Sequence, residues 1–150
     1  MSHGTTILFG QPGVAVDRVE RVCGEDGGAG RLVHLVTMAS TAAGCPDCGV
    51  VSTSVKQYRT TRPRDLPYGE EPLEIRWHKR QYWCREQACP RKAFTESVPE
   101  IPPRARLTGR LCRPAARQVA SWRSVSAVAA EYQMSWPVAH CHYAAHADGC

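Results

Sequence analysis

Eight cysteines punctuate the 150-residue chain, and four of them fall in two short pairs. Cys45 and Cys48 enclose Pro46 and Asp47, with Gly49 directly after. Cys84 and Cys89 enclose four residues and are followed by Pro90. Paired cysteines serve tetrahedral metal binding, dithiol exchange or disulfide cross-linking. A redox pair normally opens a helix, whose N-terminus lowers the thiol pKa; here a glycine and a β-rich run follow. Disulfides persist in oxidising compartments, and the opening "MSHGTTILFGQPGVAVDRVE" lacks the basic start and apolar segment of a signal peptide. A structural zinc site asks for four soft ligands about 2.3 Å from the ion. Cys45, Cys48, Cys84 and Cys89 are therefore the candidate ligands of a structural Zn2+. Four sulfurs leave no open position for a reactive water, so the metal is expected to hold structure and not to catalyse. Its binding energy, roughly 10–16 kcal/mol in small zinc peptides, would decide whether a weak-cored segment folds.

The other four cysteines, Cys23, Cys112, Cys141 and Cys150, share no such spacing. The C-terminal run "AHCHYAAHADGC" adds His140, His142 and His146. On a helix His142 and His146 lie one turn apart, a metal-compatible spacing. No glutamate completes a His-Glu-x-x-His pattern, so there is no hydrolytic signature, and a surface or groove-facing histidine pair is the expectation.

The elements that must position the sulfurs read as strands. Residues 5–8, 14–22 and 31–38 alternate or cluster β-branched side chains. The loop "EDGGAG" (25–30) joins the second and third as a hairpin. Val50–Thr60 is a candidate strand. Leu73–Tyr82 alternates Leu73, Ile75 and Trp77 against Glu74, Arg76 and His78, a half-buried strand that runs into the second cysteine pair. Prolines make 62–72 irregular or an edge. Pro102 and Pro103 stiffen an elbow in 99–109. Beyond it the composition turns to Ala, Arg and Val. Thr108 is a candidate helix cap, and Pro114 predicts a short or restarted helix there. Ser124 and Ser135 are candidate caps for helices over Val125–Tyr132 and Trp136–Ala147, the latter with Pro137 in its first turn.

The net charge of +5 hides an asymmetry. Lys56 to Arg123 holds 16 of the 19 cationic residues and only 7 of the 14 acidic ones. The cations are spread among Pro, Thr and aromatic residues, the footprint expected for nucleic acid, although a solvated arginine-rich surface has the same composition. No acidic residue occurs from Ile101 to Ala130, where Arg104, Arg106, Arg110, Arg113, Arg117 and Arg123 lie. The acids upstream (Asp65, Glu70, Glu71 and Glu74) read as solvated strand and turn charges. The stretch "SVSAVAAEYQMSWPVAHCHYAAHA" has the layout of a helix-turn-helix. Val125, Val128, Ala129 and Tyr132 form an apolar face, and Val138 and Ala139 form the inner side of the second helix. Gln133 stands where such turns usually carry glycine, and an ordinary helical hairpin shows the same spacing. In a helix-turn-helix the second helix enters the major groove. The candidate DNA-binding residues are then Ser135, Trp136, His140 and Tyr143 on that helix. Arg104, Arg106, Arg110, Arg117 and Arg123 would meet the phosphates that fix register.

Several stretches together, "CPDCG", "RTTRPRDLPYG", "LEIRWHKRQYWC", the "CPRKAFTESVP" that closes the second pair, and "SVSAVAAEYQMSWPVAH", resemble the N-terminal half of ISL-type insertion-sequence transposases. The resemblance runs from about Val33 to Ala147. It implies a four-cysteine zinc finger ligated by Cys45, Cys48, Cys84 and Cys89. It also implies a helix-turn-helix whose last helix, Trp136–Ala147, enters transposon-end DNA. The family's DDE catalytic domain, which uses three carboxylates and two metals, is expected to be absent, since only three residues follow the last predicted helix.

The fold class expected is α+β: a small antiparallel β-rich four-cysteine zinc finger followed by a helical helix-turn-helix domain. Residues 1–44 would lead into the finger, 45–98 would form it, 99–107 would link, and 108–150 would bind DNA. The expected function is zinc-dependent, sequence-specific binding of double-stranded DNA at transposon terminal inverted repeats, without catalysis. A homodimer is compatible with that role. Two alternatives share these features: a free-standing zinc-containing transcriptional regulator, and a zinc-ribbon protein- or RNA-interaction module. No run of eighteen apolar residues occurs, so no membrane partner is expected, and the location expected is cytoplasmic, at the nucleoid.

Overall fold

A computed structural model describes residues 9–38, 43–66 and 71–148, apart from the side chains of 146 and 148. The candidate strand at 5–8 and the positions of Glu70 and Cys150 lie outside these residues. Seven strands and three helices follow one another among the described residues: β1 (Val14–Cys23), β2 (Ala29–Thr37), β3 (Ala43–Gly44), β4 (Val51–Ser52), β5 (Val55–Thr61), β6 (Leu73–Trp83), β7 (Ala93–Thr95), α1 (Gly109–Ala120), α2 (Val125–Glu131) and α3 (Trp136–Asp148). None of these helices is long and apolar enough to cross a membrane.

The main sheet runs in the order β1-β2-β6-β5, with β7 also paired to β6. β1 and β2 form the expected hairpin, with Cys23 opposite Ala29. β2 then runs parallel to β6, from Arg31 opposite Leu73 to Val36 opposite His78. The sheet is therefore mixed, where an antiparallel finger was expected. Its core follows the period of two that a pleated strand imposes. Val14 and Val16, Val33 and Leu35, and Ile75 and Trp77 share one face with Phe9, Val98 and Ile101. Trp77, wholly buried, donates its indole N–H to Thr37 Oγ1 at 3.2 Å, so its polar atom is satisfied as burial requires. Removing an aliphatic side chain of this kind from water contributes about 1.5–3 kcal/mol, and Leu35 and Val14 lose nearly all exposure.

Thr108 caps α1 as expected: its backbone is extended and its hydroxyl accepts from Leu111 N. Ser124 caps α2 in the same way through Ala127 N. Pro114 neither stops nor restarts α1, which is continuous from Gly109 to Ala120. Proline's fixed φ is helical, and only one N–H is lost. Burial of Leu111, Cys112, Ala115 and Ala116 on one face holds the turn together around it. The three helices close on Leu111, Ala115, Val128, Ala129, Met134 and Ala139, with Val125, Tyr132 and Val138 around them. Between α2 and α3 the chain reverses at Gln133, whose φ of 51° lies in the left-handed region that favours glycine.

Two adjacent residues tie the sheet to the helices. Arg64 exchanges backbone hydrogen bonds with Arg106 and Thr108. Its guanidinium donates to the carbonyls of Gln133 (2.6 Å) and Tyr132 (3.0 Å), a cation placed where the helix leaves carbonyls unpaired. Asp65, expected as a solvated charge, has a side chain with no exposure at all. Its carboxylate accepts from Thr108 Oγ1 at 2.6 Å, from its neighbour Leu66 N at 2.9 Å and from Arg110 Nε at 2.6 Å. Arg110 is thereby committed: it also donates to Phe9 O and lies over the Phe9 ring.

Asp65→Ala strips the cap of its partner and leaves Arg110 without its counter-charge. Breaking a buried pair from one side costs about 3–5 kcal/mol, so urea unfolding should show a loss near the lower figure. A change below about 0.5 kcal/mol would mean that the carboxylate does not hold the two layers together.

Candidate metal centre

Each cysteine pair sits in a loop closed by an antiparallel pair of strands. β3 and β4 flank the first, with Ala43 opposite Ser52. The loop tightens through Gly49 N to Cys45 O at 2.8 Å and Cys45 N to Val50 O at 3.0 Å. Gly49 adopts φ 75° there, a conformation a side chain would oppose. β6 and β7 flank the second, with Trp83 opposite Ala93, and Cys84 N bonds to Lys92 O at 3.0 Å. A salt bridge from Arg91 Nε to Asp47 Oδ2 (2.8 Å) joins the two loops.

The loops bring the Sγ atoms of Cys45, Cys48, Cys84 and Cys89 within 4.8 Å of one another. Cys48–Cys84 and Cys45–Cys89 stand 3.6 and 4.0 Å apart. A disulfide needs about 2.05 Å. Four sulfurs on a tetrahedron of radius 2.3 Å lie about 3.8 Å apart, so the residues fit a zinc ion. Cys45 and Cys89 are buried with Tyr82 and Phe94, while Cys48 faces solvent. Burial pushes the Cys45 thiol up, but the backbone amides of Cys48 and Asp47 and the neighbouring thiols bring it down to about 7. Cys48, Cys84 and Cys89 are raised, with burial and the adjacent thiols opposing their backbone hydrogen bonds. Only a cation lets all four ionise together, since each added thiolate raises the cost of the next. Held by the four thiolates, a zinc ion would supply a fixed cross-link between the two loops and would have no need of a further ligand.

The remaining sequence-derived candidates separate into groups. On α3, Trp136 and His140 are exposed and stack at 4.9 Å, Tyr143 is half-buried, and the backbone carbonyl of exposed Ser135 accepts from Ala139 N at the helix start. Arg106 and Arg117 are exposed and make no ion pair among the described residues. Arg123 is paired with Glu131 and Arg113 with Glu100. Arg104 lines a cleft shared with the first cysteine loop. His142 turns inward and meets Cys112 Sγ at 3.1 Å. Burial lifts that thiol to about 11. Two features carried no local sequence signal. Trp122, between α1 and α2, is 99% exposed at φ 70°. His34 and His78 lie with their ring planes 5° apart and meet edge to edge, with Nδ1 of His34 and Nε2 of His78 at 2.8 Å; burial and the neighbouring His34 hold His78 below the usual histidine range.

Residues 41–89 match the family model for the zinc-finger of transposase IS204/IS1001/IS1096/IS1165. That model describes a zinc finger and not a catalytic domain, and it spans a third of the chain. No curated protein and no solved structure matches the chain. Geometry and family likeness agree on a structural Zn2+ held by the four cysteines.

Cys84→Ser should abolish zinc binding and unfold both loops, because a three-sulfur site loses the affinity that holds them. Metal analysis of the purified variant tests the assignment, and one retained zinc per chain would exclude Cys84 as a ligand.

Proposed function

We propose that this chain is the zinc-dependent, sequence-specific DNA-binding part of a transposase, recognising terminal inverted repeats. The observation that carries the reading is the transposase zinc-finger likeness over 41–89, joined to a basic three-helix unit. In this reading α2 and α3 form a helix-turn-helix. Supporting it, Val128, Ala129 and Ala139 pack the pair, and Gln133 makes the tight turn at positive φ. The exposed N-terminal end of α3 presents Trp136 and His140 to a major groove.

The phosphate contacts are revised by the pairing of the arginines. Arg110 and Arg123 already hold carboxylates, so Arg106 and Arg117 are the cations left to grip the backbone beside α3. Trp122 adds an aromatic ring held clear of the protein between α1 and α2, at a strained backbone position of the kind that clusters at binding sites.

A gel-shift titration of the zinc-loaded chain should show about a hundredfold preference or more for the element's terminal repeat over scrambled duplex, lost on chelation. Equal, salt-sensitive affinity for every duplex would overturn the reading. Arg117→Ala should weaken both duplexes alike and lower the salt dependence, whereas His140→Ala should change the ratio between them. Identical behaviour of the two variants would remove α3 from the groove.

A further inference from the structure

A cleft of about 650 Å³ opens between the first cysteine loop, strands β5 to β7 and the turn at 102–105. Four cations line it: Arg59, Lys79, Arg91 and Arg104. Arg91 is neutralised by Asp47. The one carboxylate in the lining, Glu96, is taken by Arg80, which donates from its backbone N–H at 3.0 Å and from Nε at 2.7 Å, and by Tyr82 OH at 3.3 Å. Arg59, Lys79 and Arg104 make no ion pair among the described residues.

Lys79 is the decisive residue. It is 8% exposed, yet its ammonium has no hydrogen-bonded partner among the described residues and rests 4.4 Å from the centre of the Trp77 ring. A lysine is rarely buried this far unless paired. Arg59 sits directly opposite it in the β5–β6 register, so two like charges share one face, an arrangement that destabilises a sheet by itself. Arg59 meets the side-chain amide of Gln81 at 3.4 Å, which supplies no charge. Arg104 occupies the third position of a turn closed by Ala105 N to Pro102 O. Its φ of 66° is a conformation for which glycine is the ordinary choice. Two facing cations and an arginine held at a strained turn thus converge on one cleft, and a bound anion would offset the charge of all three side chains at once.

We propose that this cleft binds a phosphate group of the nucleic-acid backbone, held by Lys79, Arg59 and Arg104. The site is separate from α3 and rests on the preceding reading only in taking DNA as its ligand. An extended polyanion suits it because most of the chain's cations lie between residues 56 and 123 without forming a tail. The cleft is also bordered by the edge strand β5, exposed from residue 55 to 60. Burial holds the Lys79 ammonium below the usual lysine range, opposed by Glu96; a phosphate in the cleft would return it upward.

Two variants separate binding from folding. Lys79→Met keeps the length of the side chain over Trp77 without its charge. Arg104→Gly suits the positive φ while deleting the guanidinium. Fluorescence-anisotropy titrations of the zinc-loaded chain, against repeat and scrambled duplexes over a range of salt, should show each variant about tenfold weaker on both. The salt slope should fall by about 1, with zinc content kept and the melting midpoint unchanged or raised. Weakening on both duplexes supports the cleft even where the wild type shows no preference for the repeat. Unaltered affinity in both variants overturns the cleft, even where that preference is strong. Tight binding of inorganic phosphate that depends on Lys79, with duplex affinity unaffected by its loss, would also overturn it and assign the cleft to a small phosphate.

Discussion

Four thiols within 4.8 Å set the terms for everything around them. Unmetallated, the cluster can ionise only in part, and its loops are closed by a handful of backbone hydrogen bonds and an exposed Asp47–Arg91 bridge. Surface pairs of that kind contribute little. The apolar cluster beneath them is small: Cys45, Cys89, Tyr82 and Phe94. Two of those four are ligands, so metal and core are the same object. Zinc replaces mutual repulsion with attraction to a shared ion and fixes where β6 ends and β7 begins. Since β6 pairs with β2, β5 and β7, the order imposed at Cys84 is carried into the central strand of the main sheet.

From the sheet the order passes to the helices through Arg64 and Asp65. One residue holds the turn after α2 by its carbonyls, and the other holds the cap of α1 through Thr108. The helices therefore take their position from the segment just past β5, whose sheet partner β6 leads to the metal. Such a chain of packed and hydrogen-bonded contacts gives a physical reason for the zinc site to govern where the helices stand. It also assigns the "RPRD" run a structural task, which accounts for the depth at which its aspartate is buried.

Local chemistry made much of this legible. The cysteine spacing named the ligands, the alternation through Leu73–Tyr82 named the central strand, and Thr108 and Ser124 marked two helix starts. Features that depend on distant partners were hidden. Arg31 meets Leu73 across some forty residues, and no periodicity announces a parallel pairing. Asp65 looks like a turn acid because its partners stand at 108 and 110. Arg110 carries no local sign that it is paired with Asp65, forty-five residues away. Lys79 falls in step with Ile75 and Trp77 on its strand, and only the register that sets it against Arg59 exposes the problem that an anion would solve. Pro114 was misleading for the opposite reason: local propensity spoke clearly, and packing overrode it.

The most direct test of the account is X-ray absorption at the zinc edge of the purified, metal-loaded chain. Four sulfur scatterers at about 2.3 Å, with no nitrogen or oxygen in the shell, are the predicted result. A mixed shell of sulfur with nitrogen or oxygen would mean that a histidine or water completes the site. The closed tetrathiolate on which the fold has been built would then be contradicted.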